Sequence, residues 1–533
     1  MLAFGSGAAA LIYELVWFQI LELVIGSTAV SVGVLLASFM GGMCAGSILF
    51  PRVVPPSIHP LRFYALIEVG IGAFACLVLW IAPMVGSGAA AAACLLLPTL
   101  LMGATLPALA RQSDEDSLGW LYAANIAGAV LGCLLAGFYL LRVYDVTAAT
   151  YVGLGINVAL ASGALLTAPL RSRLRSEPRA LASGQAAPAA VYFVIALSGF
   201  CALAAEAVWT RLLGLLFGAS VYAFSIILAV FLTGLGIGSG IGTVLCRIVE
   251  SPRTALGWCQ WLAAGAIAWT AYNLAGSLPY WPINPAIPTD IRSHFALDLA
   301  RGFWAMLPAT ILWGASFPLA LAAAGSKEKD SGRLMAGIYA ANTFGAIMGA
   351  LAVSLLLVGW VGSERAQQLL IVLSILAGLF LLRSVRWLAV AAGALLFCVP
   401  PVPGLLIAYG RYAATWMGKS EILYAREGFD SSVAVARFPN GALTFHVAGK
   451  IQASNVPRDM RLQRMLGHLT TLAAPNPRSV LVIGCGAGIT AGAVSLDPKV
   501  ERETIVEIER LVPQAAAAYF SEPNFNVLHN PRV

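Results

Sequence analysis

The sequence predicts a polytopic α-helical membrane protein that ends in a small α/β nucleotide-binding domain. Of the 533 residues, 59% are hydrophobic and only 11% are charged, which excludes an ordinary soluble protein. Apolar segments of about twenty residues, the length that spans a bilayer as a helix, recur along most of the chain. Near the C-terminus, a strand, a glycine-rich turn and a helix follow one another, and this pattern predicts the α/β part.

Twelve apolar segments form two sets of six, one within residues 1–170 and one within residues 191–384. A basic, proline-bearing linker at 171–190 separates them. The predicted spans are Gly5–Ile25, Ala29–Phe50, Phe63–Met84, Ala89–Ala110, Leu118–Leu141, Ala148–Leu170, Val191–Phe217, Ala219–Cys246, Ala255–Leu278, Leu299–Ala323, Met335–Val358 and Gln368–Leu382.

The two sets are an internal repeat. A shift of about 192 positions aligns Glu14-Leu-Val-Trp17 with Glu206-Ala-Val-Trp209, and a larger shift aligns Tyr122-Ala-Ala-Asn125 with Tyr339-Ala-Ala-Asn342. Because each set has an even number of spans, both sets have the same orientation. This is the parallel arrangement of major-facilitator-type transporters.

Basic residues predict the orientation in the membrane. Those that follow even-numbered spans include Arg52, Arg62, Arg111, Arg171, Arg173, Arg175, Arg179, Arg247, Arg253, Lys327, Lys329 and Arg333. The opposite loops are poorer in them, with Arg292 and Arg301 as exceptions. We therefore expect a cytoplasmic N-terminus. Since the net charge of +7 is explained in this way, it does not indicate nucleic-acid binding.

An apolar segment at 385–410 is interrupted by Pro400, Pro401 and Pro403. A thirteenth span there would place the C-terminal domain outside the cytoplasm, where a nucleotide-binding domain is not expected. We therefore interpret the segment as interfacial or re-entrant, with the C-terminal domain in the cytoplasm.

Four ionisable residues within apolar helices are candidates for function, because charge at membrane depth is costly. They are Glu14, Glu206, Glu68 and Arg211. The repeat-related acids Glu14 and Glu206 could together coordinate a cation such as a polyamine. Alternatively, Glu206 pairs with Arg211 and Glu14 meets a donor on a neighbouring helix, so that these side chains only hold the bundle together.

Residues 411–456 are predicted to form a small β-hairpin subdomain, and residues 457–533 the N-terminal part of a Rossmann-like domain. The hairpin is indicated by strands at Ser432–Phe438 and Ala442–Ala448, which Pro439-Asn440-Gly441 joins.

The Rossmann-like domain begins with an aliphatic strand, Val480–Ile483, that runs into Gly484, Gly486 and Gly488. Glycines at such a turn let the backbone approach a ligand closely. Glu507 follows the last glycine by about twenty residues, the spacing of an acid that binds ribose hydroxyls. The pair of signals predicts a nucleoside-bearing cofactor, and the histidines and cysteines show no metal-binding pattern.

Several segments resemble the spermidine synthase family, the aminopropyltransferases, and most closely its bacterial branch fused to a membrane region. They are GKIQAS (449–454), RLQRMLGHL (461–469), NPRSVLVIGCGAG, VEIE and the final NPRV. The resemblance implies an inner-membrane protein that takes decarboxylated S-adenosylmethionine, or S-adenosylmethionine itself, as donor and a diamine such as putrescine as acceptor. It also implies that Gln452 and Gln463 lie near the methionine-derived part of the donor.

The sequence departs from that family at three points. Ala487 stands where polyamine synthases place an aspartate, and Arg464 where a glutamate is common. The family's catalytic aspartate belongs to a later strand than the two seen here, so the Rossmann part is predicted to be incomplete and no catalytic base is named. Two other functions therefore stay open: a cationic amine transporter with a sensing domain, and a non-catalytic membrane scaffold whose degenerate domain binds a protein partner.

Overall fold

The computed structural model describes residues 1–25, 29–54, 58–85, 88–113, 117–172, 189–218, 220–281, 291–325, 331–382 and 393–533. Within these ranges, twelve long helices are followed by two small sheets. Ten of the helices are long and apolar enough to cross a membrane. The prediction of a mostly helical membrane body with a small α/β region after it is confirmed.

The twelve helices are α1 (Leu2–Ile25), α2 (Ala29–Val53), α3 (Pro60–Ile81), α4 (Gly88–Ala110), α5 (Leu118–Leu135), α6 (Val146–Ser172), α7 (Ala189–Phe217), α8 (Val221–Ile248), α9 (Pro252–Tyr272), α10 (Ile291–Gly325), α11 (Ser331–Ala352) and α12 (Val358–Leu382). Two of them, α5 and α11, continue into π-helical turns at Ala136–Leu140 and Val353–Leu357, which occupy equivalent positions in the two repeats. Gly362 breaks α12 near its start (φ +81°, ψ 167°).

Contacts between small residues and backbone recur in both halves, as expected where membrane helices pack closely. At each position a side chain in place of the glycine would overlap a carbonyl group of a neighbouring helix. The pairs are Gly7–Asn125, Gly128–Phe4 and Gly132–Ala8 in the first half, and Gly199–Asn342, Gly345–Ala196 and Gly349–Phe200 in the second. The internal repeat is thus reproduced contact by contact.

The C-terminal region begins with a short helix, α13 (Gly404–Tyr409), and a four-stranded antiparallel sheet. Its strands pair in sequence order: β1 (Glu421–Glu427), β2 (Ser432–Arg437), β3 (Leu443–Val447) and β4 (Lys450–Ser454). The predicted hairpin joins β2 to β3, with Gly441 at φ +84° in its turn. The subdomain therefore has two strands more than were predicted.

The Rossmann-like part has helix α14 (Pro457–Ala473), strand β5 (Ser479–Ile483), helix α15 (Ile489–Ser495), strand β6 (Arg502–Val506) and helix α16 (Leu511–Tyr519). Strands β5 and β6 form a two-stranded parallel sheet. Leu481 and Ile483 of β5 are 59% and 82% exposed, and Leu469 and Leu472 of α14 are 56% and 77% exposed. Large apolar side chains on one face of β5 and on α14 thus remain exposed.

The C-terminal region docks on one end of the helical bundle. Arg211, in the last two turns of α7, donates hydrogen bonds to the carbonyls of Gly428 (2.5 Å) and Phe429 (3.1 Å). Glu427 of β1 accepts from the backbone N–H (2.9 Å) and the hydroxyl (2.5 Å) of Ser363, where α12 resumes after Gly362.

Two further contacts lie at the same end. Arg411 forms an ion pair with Asp298, in the first turns of α10, and Gly410 lies against the Leu215 carbonyl near the end of α7. Because successive helices alternate in direction, the end of α7 and the starts of α10 and α12 share one end of the bundle. The chain begins at the other end, with Leu2 of α1.

In the structure, the N-terminus and the C-terminal domain therefore lie at opposite ends of the bundle, whereas the sequence analysis expects them on one side of the membrane. The prolines and flanking basic residues of segment 385–410 suggested a segment that does not cross. Its residues 385–392 lie outside the described part. Residues 396–398 form a single 3-10 turn, and the Leu396 carbonyl accepts a hydrogen bond from Gln368, near the middle of α12.

Candidate functional site

The glycine turn lies between β5 and α15. Gly484, Gly486 and Gly488 have φ values of +86°, +51° and +77°, a region that residues with a Cβ rarely adopt, so glycine is required at all three. Gly484 still pairs with strand β6, because its N–H donates a hydrogen bond to the Val506 carbonyl at 2.8 Å. A Cβ added at Gly484 or Gly486 would meet no atom within 4 Å, and the turn therefore has open space in front of it.

Glu507 follows β6 and bends toward this turn. One carboxylate oxygen accepts from the Cys485 N–H at 2.8 Å, and the other accepts from the N–H groups of Ile508 (2.8 Å) and Glu509 (3.1 Å). These bonds hold the half-buried carboxylate beside the glycines. Each carboxylate oxygen has more than one lone pair, so acceptor capacity remains for a ligand hydroxyl.

Cys485 lies inside the turn, but it is no nucleophile. Its side chain is buried, and burial, reinforced by the nearby Glu507 carboxylate, raises the pKa of the Cys485 thiol to about 12. The thiol is therefore protonated at neutral pH.

Glu509, the other acid after β6, stabilises a neighbouring loop. It is buried and accepts from the N–H groups of Asp430 (3.0 Å), Ser431 (3.1 Å) and Leu511 (3.1 Å). It therefore holds the loop between β1 and β2, the same loop whose carbonyls bind Arg211.

The two predicted glutamines lie at different distances from the turn. Gln463 is on α14, and its carbonyl accepts a hydrogen bond from the hydroxyl of Thr490, in the first turn of α15 (3.1 Å). This contact places Gln463 beside the glycine turn. Gln452 is exposed on β4, and none of the described contacts joins it to the turn.

Asn524 supports the glycine turn, and no sequence pattern predicted it. It is buried, and its side-chain amide donates to the carbonyl of Ala487 at 3.0 Å. Ala487, where the related enzymes would carry an acid, is itself buried against this support. Arg464 is used in the same area, since it donates to the Pro523 carbonyl (3.3 Å) and lies over the Phe525 ring.

A second candidate site lies within the bundle. Glu14 and Glu206 are half-buried and interact with each other electrostatically, and both act on Cys133. In the described part of the chain, neither carboxylate has a hydrogen-bond or ion-pair partner. The alternative in which Glu206 pairs with Arg211 is wrong, because the Arg211 guanidinium binds Gly428 and Phe429 instead.

Aromatic side chains from both repeats lie near these acids. Tyr122 stacks on Phe317 with ring centroids 4.0 Å apart, and Tyr339 meets the same ring edge-on. Tyr339 also interacts electrostatically with Tyr122 and Glu14. Two repeat-related acids and two repeat-related tyrosines therefore lie close together.

Glu68 has a different environment. It is fully buried and accepts a hydrogen bond from the Asn157 side chain at 2.5 Å, and Asn157 in turn accepts from the Tyr13 hydroxyl at 2.7 Å. Its repeat equivalent is a neutral residue, Gln260, which donates to Ser198 (3.2 Å) and Ser316 (2.7 Å). An uncharged group therefore serves the same packing position in the second half.

Comparison with known proteins identifies the C-terminal region. Residues 459–533 match the family described as the spermine/spermidine synthase domain. This part of the chain is a spermidine synthase-type domain. The glycine turn, Glu507 and Gln463 all lie within it.

Two aminopropyltransferases illustrate how far the similarity extends. A polyamine aminopropyltransferase of Mycobacterium tuberculosis is 26% identical over 359 residues, which cover 64% of each chain. One of Thermotoga neapolitana is 26% identical over 113 residues, or 21% of this chain and 38% of the relative. The chain thus spans less than two thirds of either relative. The mycobacterial match is much longer than residues 411–533 and so extends into the membrane part.

The membrane part was also compared with solved structures. The human organic anion transporter MFSD10 aligns with a TM-score of 0.49 and 13% identity, covering 71% of this chain and 97% of that one.

Proposed function

We propose that the protein is a membrane-embedded spermidine synthase-like protein whose synthase-type domain holds the adenosyl group of decarboxylated S-adenosylmethionine or of S-adenosylmethionine. The observation that carries the proposal is the open space in front of Gly484 and Gly486, with the Glu507 carboxylate fixed beside it. In this arrangement Glu507 binds the ribose hydroxyls. Gln463 lies where the rest of the donor would extend.

The implied reaction is aminopropyl transfer to a small amine. The amine nitrogen attacks the propyl carbon bonded to the donor's sulfonium sulfur; a C–N bond forms, the C–S bond breaks and methylthioadenosine leaves. The attacking nitrogen loses a proton to a base. We assign no residue to that role, so donor binding is a more direct test of the proposal than turnover.

Calorimetry with purified full-length protein tests the binding. We expect the wild-type protein to bind both S-adenosylmethionine and its decarboxylated form. The Glu507→Gln variant should bind them about ten- to a hundredfold more weakly, because a charge-assisted hydrogen bond contributes about 1.5–3 kcal/mol. Glu501→Gln is the matched control: Glu501 is exposed at the opposite end of the sheet, beside Arg478. Absence of binding by the wild-type protein, or equal weakening in both variants, would contradict the proposal and favour a scaffold that binds a protein partner.

A second function, transport of cationic amines, is favoured by one specific observation. The carboxylates of Glu14 and Glu206 converge within the bundle without a basic partner in the described part of the chain. Two acids without a basic partner are costly at membrane depth in their charged form, and a cation bound between them would offset that cost. The neighbouring Tyr122 and Tyr339 rings suit an organic cation, because aromatic faces attract ammonium groups.

Uptake of radiolabelled putrescine into proteoliposomes tests this second function. We expect Glu14→Gln and Glu206→Gln each to abolish uptake. Glu68→Gln is the control, since the repeat equivalent of Glu68 is already glutamine, and it should transport normally. Unchanged uptake in both of the first two variants would exclude the site.

A further inference from the structure

The two ends of the bundle differ strongly in charge. The end that carries the loops after α2, α4, α6, α8 and α10 contains nearly all the basic loop residues. The end on which the synthase-type domain docks carries few basic loop residues. Since basic loops remain in the cytoplasm, the basic end is the cytoplasmic one.

The chain changes ends after α12. Leu382, at the last position of α12, belongs to the basic end, whereas the Leu396 carbonyl accepts a hydrogen bond from Gln368 at 3.3 Å. Gln368 precedes Leu382 by fourteen residues in the same helix, a distance of about 21 Å along its axis. Leu396 therefore lies beside the middle of α12, and at Gly410 and Arg411 the chain is at the opposite end.

Specific contacts hold the domain at this end. Glu427 satisfies both the N–H and the hydroxyl of Ser363 at the break in α12. Arg211 reaches out of α7 to two carbonyls of the β1–β2 loop, and Glu509 holds that loop from the other side. The domain is thus attached to the bundle through polar contacts with two of its helices, α7 and α12.

From these observations we infer that the synthase-type domain lies on the extracytoplasmic face of the membrane. The chain is at the cytoplasmic end at Leu382 and at the opposite end at Arg411, which pairs with Asp298. The glycine turn then takes its ligand from outside the cytoplasm. An adenosyl donor or an amine acceptor must either be present on that side or pass through the bundle, where Glu14 and Glu206 suit an amine.

Single cysteines at the two ends test the inference in intact cells. In a Cys398→Ser background, which removes an exposed thiol near the domain, Asn440→Cys places a cysteine in the β2–β3 turn and Glu250→Cys places one in the α8–α9 loop. Both positions are exposed. We expect a membrane-impermeant maleimide to label Asn440→Cys equally in intact and permeabilised cells, and Glu250→Cys only after permeabilisation.

Each other outcome overturns the inference. Labelling of Glu250→Cys alone in intact cells would mean that the bundle has the opposite orientation. Equal labelling of both cysteines in intact cells would contradict their placement at opposite ends. Alkaline phosphatase, which is active only outside the cytoplasm, fused after Val533 gives an independent readout with the native cysteines kept; an inactive but expressed fusion would also overturn the inference. Because calorimetry in detergent exposes both faces, loss of nucleoside binding would refute the proposed function and leave this topology untouched.

Discussion

Glycine has opposite roles in the two regions of this molecule. In the bundle, Gly128 and Gly345 lie against backbone carbonyls of neighbouring helices, so that no side chain fits. In the synthase-type domain, Gly484 and Gly486 have free space beside them and are required only because of their positive φ values. The bundle glycines allow helices to approach one another, whereas the loop glycines keep a backbone surface open to a ligand.

Buried acids differ in the same way. Glu68 of the bundle is fully buried and accepts a hydrogen bond from Asn157, and the other repeat has a neutral residue in its place. Glu507 is held by backbone N–H groups beside open space, and Glu14 and Glu206 have no partner in the described residues. An acid that the fold buries completely is a packing residue, and an acid with remaining acceptor capacity beside open space is a candidate ligand site.

The largest expected effect comes from filling the helix contacts. Gly128→Leu and Gly345→Leu should each destabilise the bundle by roughly 3 kcal/mol or more, because the new side chain would overlap backbone rather than a movable side chain. Both variants should yield little monodisperse protein by size-exclusion chromatography in detergent. A similar loss of monodisperse protein in the two variants would show that the two repeats pack their helices in the same way.

Gly155→Leu is the matched control, because a side chain there would meet nothing within 4 Å. It should purify like the wild-type protein. If Gly155→Leu fails as well, leucine at any helix position is harmful, and the contrast between packed and open glycines is lost.

A smaller effect is expected at the loop. Gly486→Ala introduces no clash, but alanine at φ +51° costs roughly 1–2 kcal/mol. The bundle should purify normally, whereas the variant's affinity for S-adenosylmethionine should fall by about tenfold as the turn relaxes. Calorimetry measures this. Normal affinity in a folded Gly486→Ala protein would mean that the turn does not contact the ligand.

Much of this architecture could be predicted from the sequence. Hydrophobic length identified the helices, and the spacing of Glu14 and Glu206 revealed the repeat. The glycine turn and Glu507 followed from local spacing. These features depend on residues that are near in sequence or on patterns that occur twice.

The errors came from contacts between distant positions. Arg211 was a candidate partner for Glu206, but its hydrogen bonds go to Gly428 and Phe429, more than two hundred residues later. The end to which the domain docks was misplaced for the same reason, since the hydrogen bond between Gln368 and Leu396 has no periodic signal. Asn524 was missed because a single buried asparagine resembles any loop residue.

The smallest expected effect concerns an acid of β6 that, unlike Glu507, is enclosed. Glu503 is 2% exposed and both its carboxylate oxygens lack a partner. Burial raises the pKa of Glu503 from 4.5 to about 7, with Arg532 opposing the shift. The folded domain therefore favours the protonated acid. Stability from this group is complete below pH 4.5 and is lost as the pH rises to about 7.

Glu503→Gln should consequently stabilise the domain by about 1 kcal/mol or more at pH 8 and leave it unchanged near pH 4.5. Thermal proteolysis of the full-length protein at the two pH values measures the difference, with the exposed Glu501→Gln as the control that should match the wild-type protein at both. A gain of equal size at both pH values would show that the amide improves packing and that ionisation of Glu503 is not the cause. In that case the enclosed acid of this domain resembles Glu68 of the bundle, a position at which a neutral group serves equally well.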